Sequence, residues 1–200
     1  MSFSNLTLMR ESRSYLAPHW GLGVLTVFVF TLFVGALPVV FPSMGKTVSF
    51  ILSGPFALGM CFFSLSIVKK ETPHINQLFE GFQSFGKSFL AYLCFAILFL
   101  VGIVLLIIPG IVVAMGFSMT FYVMADQPEL SFSECLHESW KITKGYRLKY
   151  FGLCLRFLPW YLLGALCLGI GVLVVLPWHY AANAQFYLQI KNAPPMGKEN

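Results

Sequence analysis

Hydrophobic and polar positions fall along this chain in long blocks, without the short periods of a water-soluble domain. Between Lys87 and Asp126 no charged residue occurs. The intervening run, 88–125, carries only Ser88, Ser118 and Thr120 as polar side chains besides its tyrosines. One continuous helix over it would be roughly 57 Å long at ~1.5 Å per residue. The hydrocarbon core of a bilayer is only about 30 Å thick, so the run has to fold back on itself. Pro109-Gly110 is where the pattern predicts the reversal. Proline lacks a backbone donor and biases its predecessor away from helix, and glycine tolerates a turn. The expected elements are a span over 88–108, a tight hairpin, and a second span over 111–125.

The same alternation predicts six spans in three hairpins. The first covers 21–40, entered past Pro18, His19 and Trp20 and closed by Pro38 and Pro42. The second covers 47–68. There Ser49, Ser53, Ala57 and Cys61 recur every four residues and form one strip of small side chains, a packing face in lipid. Gly54-Pro55 should kink that helix. The fifth span lies within 150–176, the sixth over about 179–190, with Pro177-Trp178 as their hairpin.

Short amphipathic segments border the spans. Residues 1–18 hold a brief helix with a ragged apolar face, ended by Pro18. Thr72-Pro73 resembles a cap and first helical position, followed by Ile75, Leu78, Phe79 and Phe82 at helical spacing and stopped by Gly86. That helix is too polar to span and should lie in the interface. Ser131 and Glu134 spell a capping box for another, with Phe132, Leu136, Trp140 and Thr143 on one face and Gly145 at its end. The expected fold is therefore all-α, a polytopic membrane protein of six transmembrane helices with interfacial helices on the cytoplasmic side. It forms one domain over 1–190, followed by a polar, disordered tail over 191–200.

Two units look alike. Each has an amphipathic helix ending in glycine and basic residues, a long apolar span, a proline, and a span ending in Phe-Tyr, at Phe121-Tyr122 and Phe186-Tyr187. Two spans per unit would give parallel repeats about an axis along the membrane normal.

Composition agrees with lipid as the solvent. The chain is 58% hydrophobic and 10% charged, against about 25% charged in soluble domains. Its net charge of +5 does not imply nucleic acid, because the basic residues border apolar spans and form no basic domain. They read as topology signals and headgroup contacts. Arg10, Arg13, Lys69, Lys70, Lys87, Lys141, Lys144, Arg147, Lys149, Lys191 and Lys198 fall on one side, with Lys46 opposite. The positive-inside rule then places both termini in the cytoplasm, as a multi-pass protein of the bacterial inner membrane. Cys61, Cys94, Cys135, Cys154 and Cys167 form no CxxC pair and read as packing residues. The first apolar run is too long for a signal peptide and reads as a retained span.

Several segments resemble a bacterial integral membrane protein family of unknown function, domain of unknown function family 975. They are Gly54-Pro55 with Gly59, Leu78 through Phe82, Ile107 through Ile111, Ala125 through Ser131, Lys144-Gly145, and Pro177 through Phe186-Tyr187. Trp160 and Gly169-Ile170-Gly171 also fit. The resemblance covers about 10–190. It implies a six-span cytoplasmic-membrane protein and no activity.

Polar groups at membrane depth are costly and mark candidate sites. Arg156 is either an anchor that snorkels to the interface or a buried partner for an acidic group. His179 and Asn183 are four apart on one helix face, with Gln185 and Gln189 on another. They serve as interhelical hydrogen-bonding glue or line a solute path. HExxH, GxSxG and phosphate-loop patterns are absent. Asp126, Glu129, Glu134 and His137 are explained by capping and surface charge without metal. The sequence thus predicts a non-enzymatic membrane protein without cofactor, acting through helix packing. Its partners are the lipid bilayer and a membrane protein or a second copy in a homo-oligomer, with no nucleic acid. The alternative is a small transporter or channel using His179, Asn183 and Arg156.

Overall fold

A computed structural model describes residues 4–105, 107–166 and 169–193. All described elements are helical. They run α1 (Asn5–Leu16), a 3-10 turn (Ala17–His19), α2 (Trp20–Gly35), α3 (Leu37–Val40), α4 (Gly45–Val68), α5 (Gln77–Glu80) and a second 3-10 turn (Gly81–Ser84). Then follow α6 (Phe85–Leu105), α7 (Ile107–Phe117), α8 (Thr120–Asp126), α9 (Phe132–Ile142), α10 (Arg147–Leu166) and α11 (Ile170–Lys191). Three stretches are long and apolar enough to cross a membrane: Asn5–Val40, Gly45–Val68 and Gln77–Leu98. α10 dilutes its apolar character with Arg147, Lys149 and Arg156, and α11 with His179, Asn183, Gln185 and Gln189.

α4 is the centre. Two thirds of its apolar window is buried (67%), against 17% for each of the other two stretches. It touches α2, α3, α6, α8 and α11. On one flank Phe56, 2% exposed, lies edge-on to Phe30, Phe79 and Phe82, with Phe33 tilted against it. On another, its second half joins Leu8, Leu16, Met119, Val123, Phe186 and Tyr187 in the main core. Outside this core the helices present Leu25, Phe28 and Leu32 of α2, Phe95, Ile97 and Leu100 of α6, and Leu155, Leu158 and Leu162 of α10. In water such a surface would be a liability; in a bilayer it is the ordinary exterior.

Lipid gives no hydrophobic drive for helix association, so close packing has to supply it. The closest approach is between α4 and the turn after α5. A Cβ on Gly81 would lie 1.9 Å from the Pro55 carbonyl oxygen, and one on Gly59 would lie 2.0 Å from the Leu78 carbonyl oxygen. Backbone meets backbone there, and Leu78 is fully buried beside it. The segment expected as an interfacial helix from Thr72-Pro73 is thus a single turn beginning at Gln77, wedged into α4. Residues 71–74 are non-helical, and Gly86, expected as its stop, lies inside α6. Of its four apolar positions, Leu78 and Phe79 fall in that turn, Phe82 in the 3-10 continuation and Ile75 ahead of both. Likewise Pro18 occupies a 3-10 turn that passes α1 into α2 without ending the helical path.

Both proline hairpins are corrected. Pro109 and Gly110 lie within the helical residues 107–117, so the chain does not leave the helix at that pair; residue 106 lies outside the described residues. Pro177 sits in the middle of α11. The break before α11 comes at Gly169, which takes φ +79 and caps the helix. Close by, the backbones of Gly164 and Gly171 touch across α10 and α11. The Pro177 ring fits mid-helix because α2 presents Gly23 to it, whose missing Cβ would be 3.1 Å from the ring. The sixth helix is accordingly longer than expected, and α10 starts at Arg147, ahead of the expected 150. α11 includes Lys191, so a tail beginning at 191 is also corrected; most of that expected tail, 194–200, lies outside the described residues.

The helix expected after Ser131 does form, as α9, with its Ser131–Glu134 capping box. Its buried centre is Cys135, Ser139 and Thr143, flanked by Phe132, Leu136 and Trp140. Ser139 and Thr143 hydroxyls both donate to the Gly116 carbonyl of α7, at 2.9 and 3.2 Å. Gly145 takes φ 87 just past its end.

The Gly81 contact yields a direct test. Gly81→Ala adds a methyl where only backbone can yield, and should cost about 1–3 kcal/mol by overpacking. Gly86→Ala meets nothing within 4 Å and should be neutral. Melting of both variants in mild detergent checks this; equal melting would refute the close approach.

Candidate functional site

Polar side chains from several helices converge on α11. Asn183 is 9% and Gln185 5% exposed. Going along the helix, Trp178 Nε1 donates to the Met9 carbonyl of α1 at 3.0 Å. The Tyr161 hydroxyl of α10 and His179 Nδ1 share a 2.7 Å hydrogen bond, with the Phe157 ring 4.6 Å from the imidazole centroid. The Tyr180 carbonyl accepts from the Tyr122 hydroxyl at 3.1 Å. Gln185 Nε2 donates to Glu11 of α1. His179 Nε2, Asn183 Oδ1, Gln185 Oε1 and Gln189 Oε1 are buried with no protein partner.

The helix ends in an ion-pair clamp. Asp126, at the end of α8, has a side chain only 6% exposed. Lys69, just past α4, reaches Asp126 Oδ1 at 2.5 Å. Lys191 of α11 pairs with the other carboxylate oxygen. The Tyr187 hydroxyl donates to that oxygen at 2.9 Å, and the Tyr187 ring stacks on Tyr122 at 6.0 Å. One carboxylate therefore joins the ends of three helices. Burial alone would raise its pKa. Hydrogen bonds from Lys191, Lys69 and Tyr187 outweigh that and hold the carboxyl below its usual range, so it is ionised at neutral pH.

Of the residues singled out from sequence, His179, Asn183 and Gln185 lie together on α11 within the helical core. Arg156 does not join them: it is exposed on the outward side of α10, beside exposed Leu155 and Leu158. The shared path of Arg156, His179 and Asn183 is therefore not assembled within the chain. Along the small-residue strip, Ser49 and Cys61 are buried, while Ser53 and Ala57 are partly so. Ser49 Oγ donates to the Val34 carbonyl of α2 at 2.6 Å, and Ser53 Oγ to the Ser49 carbonyl at 2.6 Å. Glu134 is taken up by its capping box and Asp126 by the clamp. Among the described residues no three His, Cys, Asp or Glu side chains group to hold a metal ion.

Sequence reasoning missed the clamp and Glu11. Asp126 looks like a turn residue beside Gln127-Pro128. The usable signal was its position: an acid closing a long apolar run, on the side where Lys69 and Lys191 close two others.

Residues 96–194 match the family described as Protein of unknown function (DUF975). No curated protein and no solved structure matches the chain.

The clamp makes stability pH-dependent with a definite sign. A carboxyl held lower in the folded than the unfolded state stabilises fully above the usual carboxylate range. That contribution is lost as pH falls through the folded value. Asp126→Asn should lower stability at neutral pH by about 1–3 kcal/mol, the range for hydrogen bonds to charged groups. Its deficit should narrow as pH falls below about 4, where the unfolded-state carboxyl protonates first and the folded one follows at lower pH. Thermal melts of both proteins across pH in one detergent read this out; a deficit that persists unchanged in acid would exclude the clamp.

Proposed function

We propose, from the premise that residues 96–194 belong to the DUF975 family of proteins of unknown function, that this is a six-span protein of the bacterial inner membrane with both termini cytoplasmic. It acts without enzymatic chemistry, through helix packing and contacts with a membrane partner or lipid. The observation that carries this reading is the gathering of alternate helix ends. Lys69 ends α4 and Lys191 ends α11, and both hold Asp126, which ends α8. Lys87, at the start of α6, donates to the Pro128 and Leu130 carbonyls just beyond α8, at 3.0 Å each. The Lys149 carbonyl, at the start of α10, accepts from Asn5 of α1 at 2.9 Å. Starts and ends meet at one level, as a chain running to and fro across a bilayer requires. That level is basic, and the positive-inside rule makes it cytoplasmic.

A second reading, a small transporter or channel, is favoured by one observation: the unpartnered buried atoms of His179, Asn183 and Gln185 along α11. Such atoms call for water or a solute.

Two measurements separate these. In a background free of native cysteines, Lys46→Cys should react with an impermeant maleimide on intact cells, and Lys144→Cys only after permeabilisation. The reverse pattern overturns the topology. In proteoliposomes the packing reading expects no flux of tested ions and small solutes above protein-free vesicles. Flux that Asn183→Leu abolishes while the protein still melts cooperatively selects the transporter.

A further inference from the structure

Arg156 is a basic side chain in the middle of α10, nine residues past its start. It is exposed, with exposed Phe151, Leu155, Leu158, Trp160 and Leu162 around it on α10. Among the described residues no hydrogen bond, ion pair or ring contact involves it. The start of α10 is fixed at the basic level, because Arg147 stacks over Trp140 at 3.7 Å and the Lys149 carbonyl is bonded to Asn5. Arg156 is seven residues beyond Lys149, about 10 Å along the axis at 1.5 Å per residue. Side chains on a helix tilt toward its N-terminus. This tilt directs the guanidinium back toward the basic level. Trp160, one turn deeper, lies edge-on to Trp178 of α11 at 5.3 Å. Lys149, two turns earlier, shares the stripe.

An unpaired guanidinium at this depth is costly in hydrocarbon. Its planar fork matches a phosphate or carboxylate with two parallel hydrogen bonds. Charge and position choose between them. Glu71, Asp126, Glu129, Glu134 and Glu138 lie outside the long apolar stretches, Glu80 sits in the single turn of α5 ahead of α6, and Glu11 accepts from Gln185 of its own chain, so the described residues offer a second copy's arginine no uncommitted carboxylate at this level. The surrounding face is bulky Leu, Phe and Trp rather than the small residues that let a neighbouring helix approach closely. Flexible acyl chains fit such a face. We infer that Arg156, on the outer face of α10 between Lys149 and Trp160, binds the phosphodiester headgroup of an anionic phospholipid from the cytoplasmic leaflet. This rests on the orientation proposed above, and it names the ligand class for the lipid contact.

The test compares the full chain in nanodiscs of phosphatidylcholine alone with nanodiscs containing phosphatidylglycerol, reading retained lipid by native mass spectrometry after gentle release. Wild type should retain phosphatidylglycerol over phosphatidylcholine. Arg156→Leu should reduce that preference about fivefold, the factor for ~1 kcal/mol per basic residue at a membrane surface. Arg156→Lys, keeping charge but not the fork, should fall between. Lys46→Leu, on the opposite side, should leave the preference unchanged. Equal retention by wild type and Arg156→Leu overturns the proposal. So does a wild-type signal displaced by millimolar inorganic phosphate, which would make this a site for a soluble anion. A change of oligomeric state in Arg156→Leu also overturns it, by assigning the arginine to a protein contact. Because Arg156 is exposed, the leucine variant should melt like wild type, and a matched melt shows that any lost retention is local. Failure of the orientation would appear separately, in the maleimide labelling, with the lipid preference intact.

Discussion

The structure depends on backbone-to-backbone contact around α4. In water, buried apolar area would hold helices together; in lipid, the exterior is as apolar as the interior, and that drive is missing. What remains is close packing and hydrogen bonding. The Gly59–Leu78 and Gly81–Pro55 contacts leave no room for a methyl: a Cβ on either glycine would lie 2.0 or 1.9 Å from the facing carbonyl oxygen. They seat the single turn of α5 in α4, and that seating sets where α6 begins. The aromatic group on Phe56 and the main core on the other flank of α4 both build outward from this line.

Packing fixes lateral positions, but it does not fix how far each helix slides along its axis. The Asp126 clamp does. Its two cations come from helices 57 and 65 residues away in sequence. Each could pair with the carboxylate at only one axial position of its helix. Tyr187 and Tyr122, one from each of the two similar units, stack beside the clamp. The clamp sits at the aqueous end of the apolar core, where desolvation is incomplete and the lysines keep about a third of their exposure. An ion pair deeper in would face a larger desolvation cost than its mutual attraction returns.

The helices themselves were legible in the sequence, since lipid imposes a long apolar block that few other environments require. The capping box of α9 was legible too, because all its partners lie within four residues. The turns were not. Proline breaks helices in water by removing an amide and crowding a carbonyl. In a membrane bundle the same defect is tolerated where a neighbour makes room. Gly23, far away in sequence, makes that room for Pro177. The turn residue Gly169 differs from Gly164 and Gly171 only in its backbone angle, which composition does not reveal. Asp126 was hidden for a related reason: locally it is a turn acid, and its role lies in contacts that no window contains.

Arg147 and Arg156 show how one helix treats the same side chain in two settings. Arg147 is neutralised in effect by geometry: its guanidinium lies on the Trp140 face, and α7 offers Gly116 so that the indole can lie flat beneath it. The chain thus supplies that cation with an aromatic face, while its Nε is buried without an acceptor among the described residues. Arg156 gets nothing comparable from its own chain, although tyrosines and a histidine lie on the inner side of α10, where Tyr161 meets His179. A half-turn of rotation about the helix axis separates the two outcomes. An arginine retained on the outer face is therefore not a failed core residue. Its partner has to come from what surrounds the protein, and at that level of a bilayer the anions are phosphodiesters.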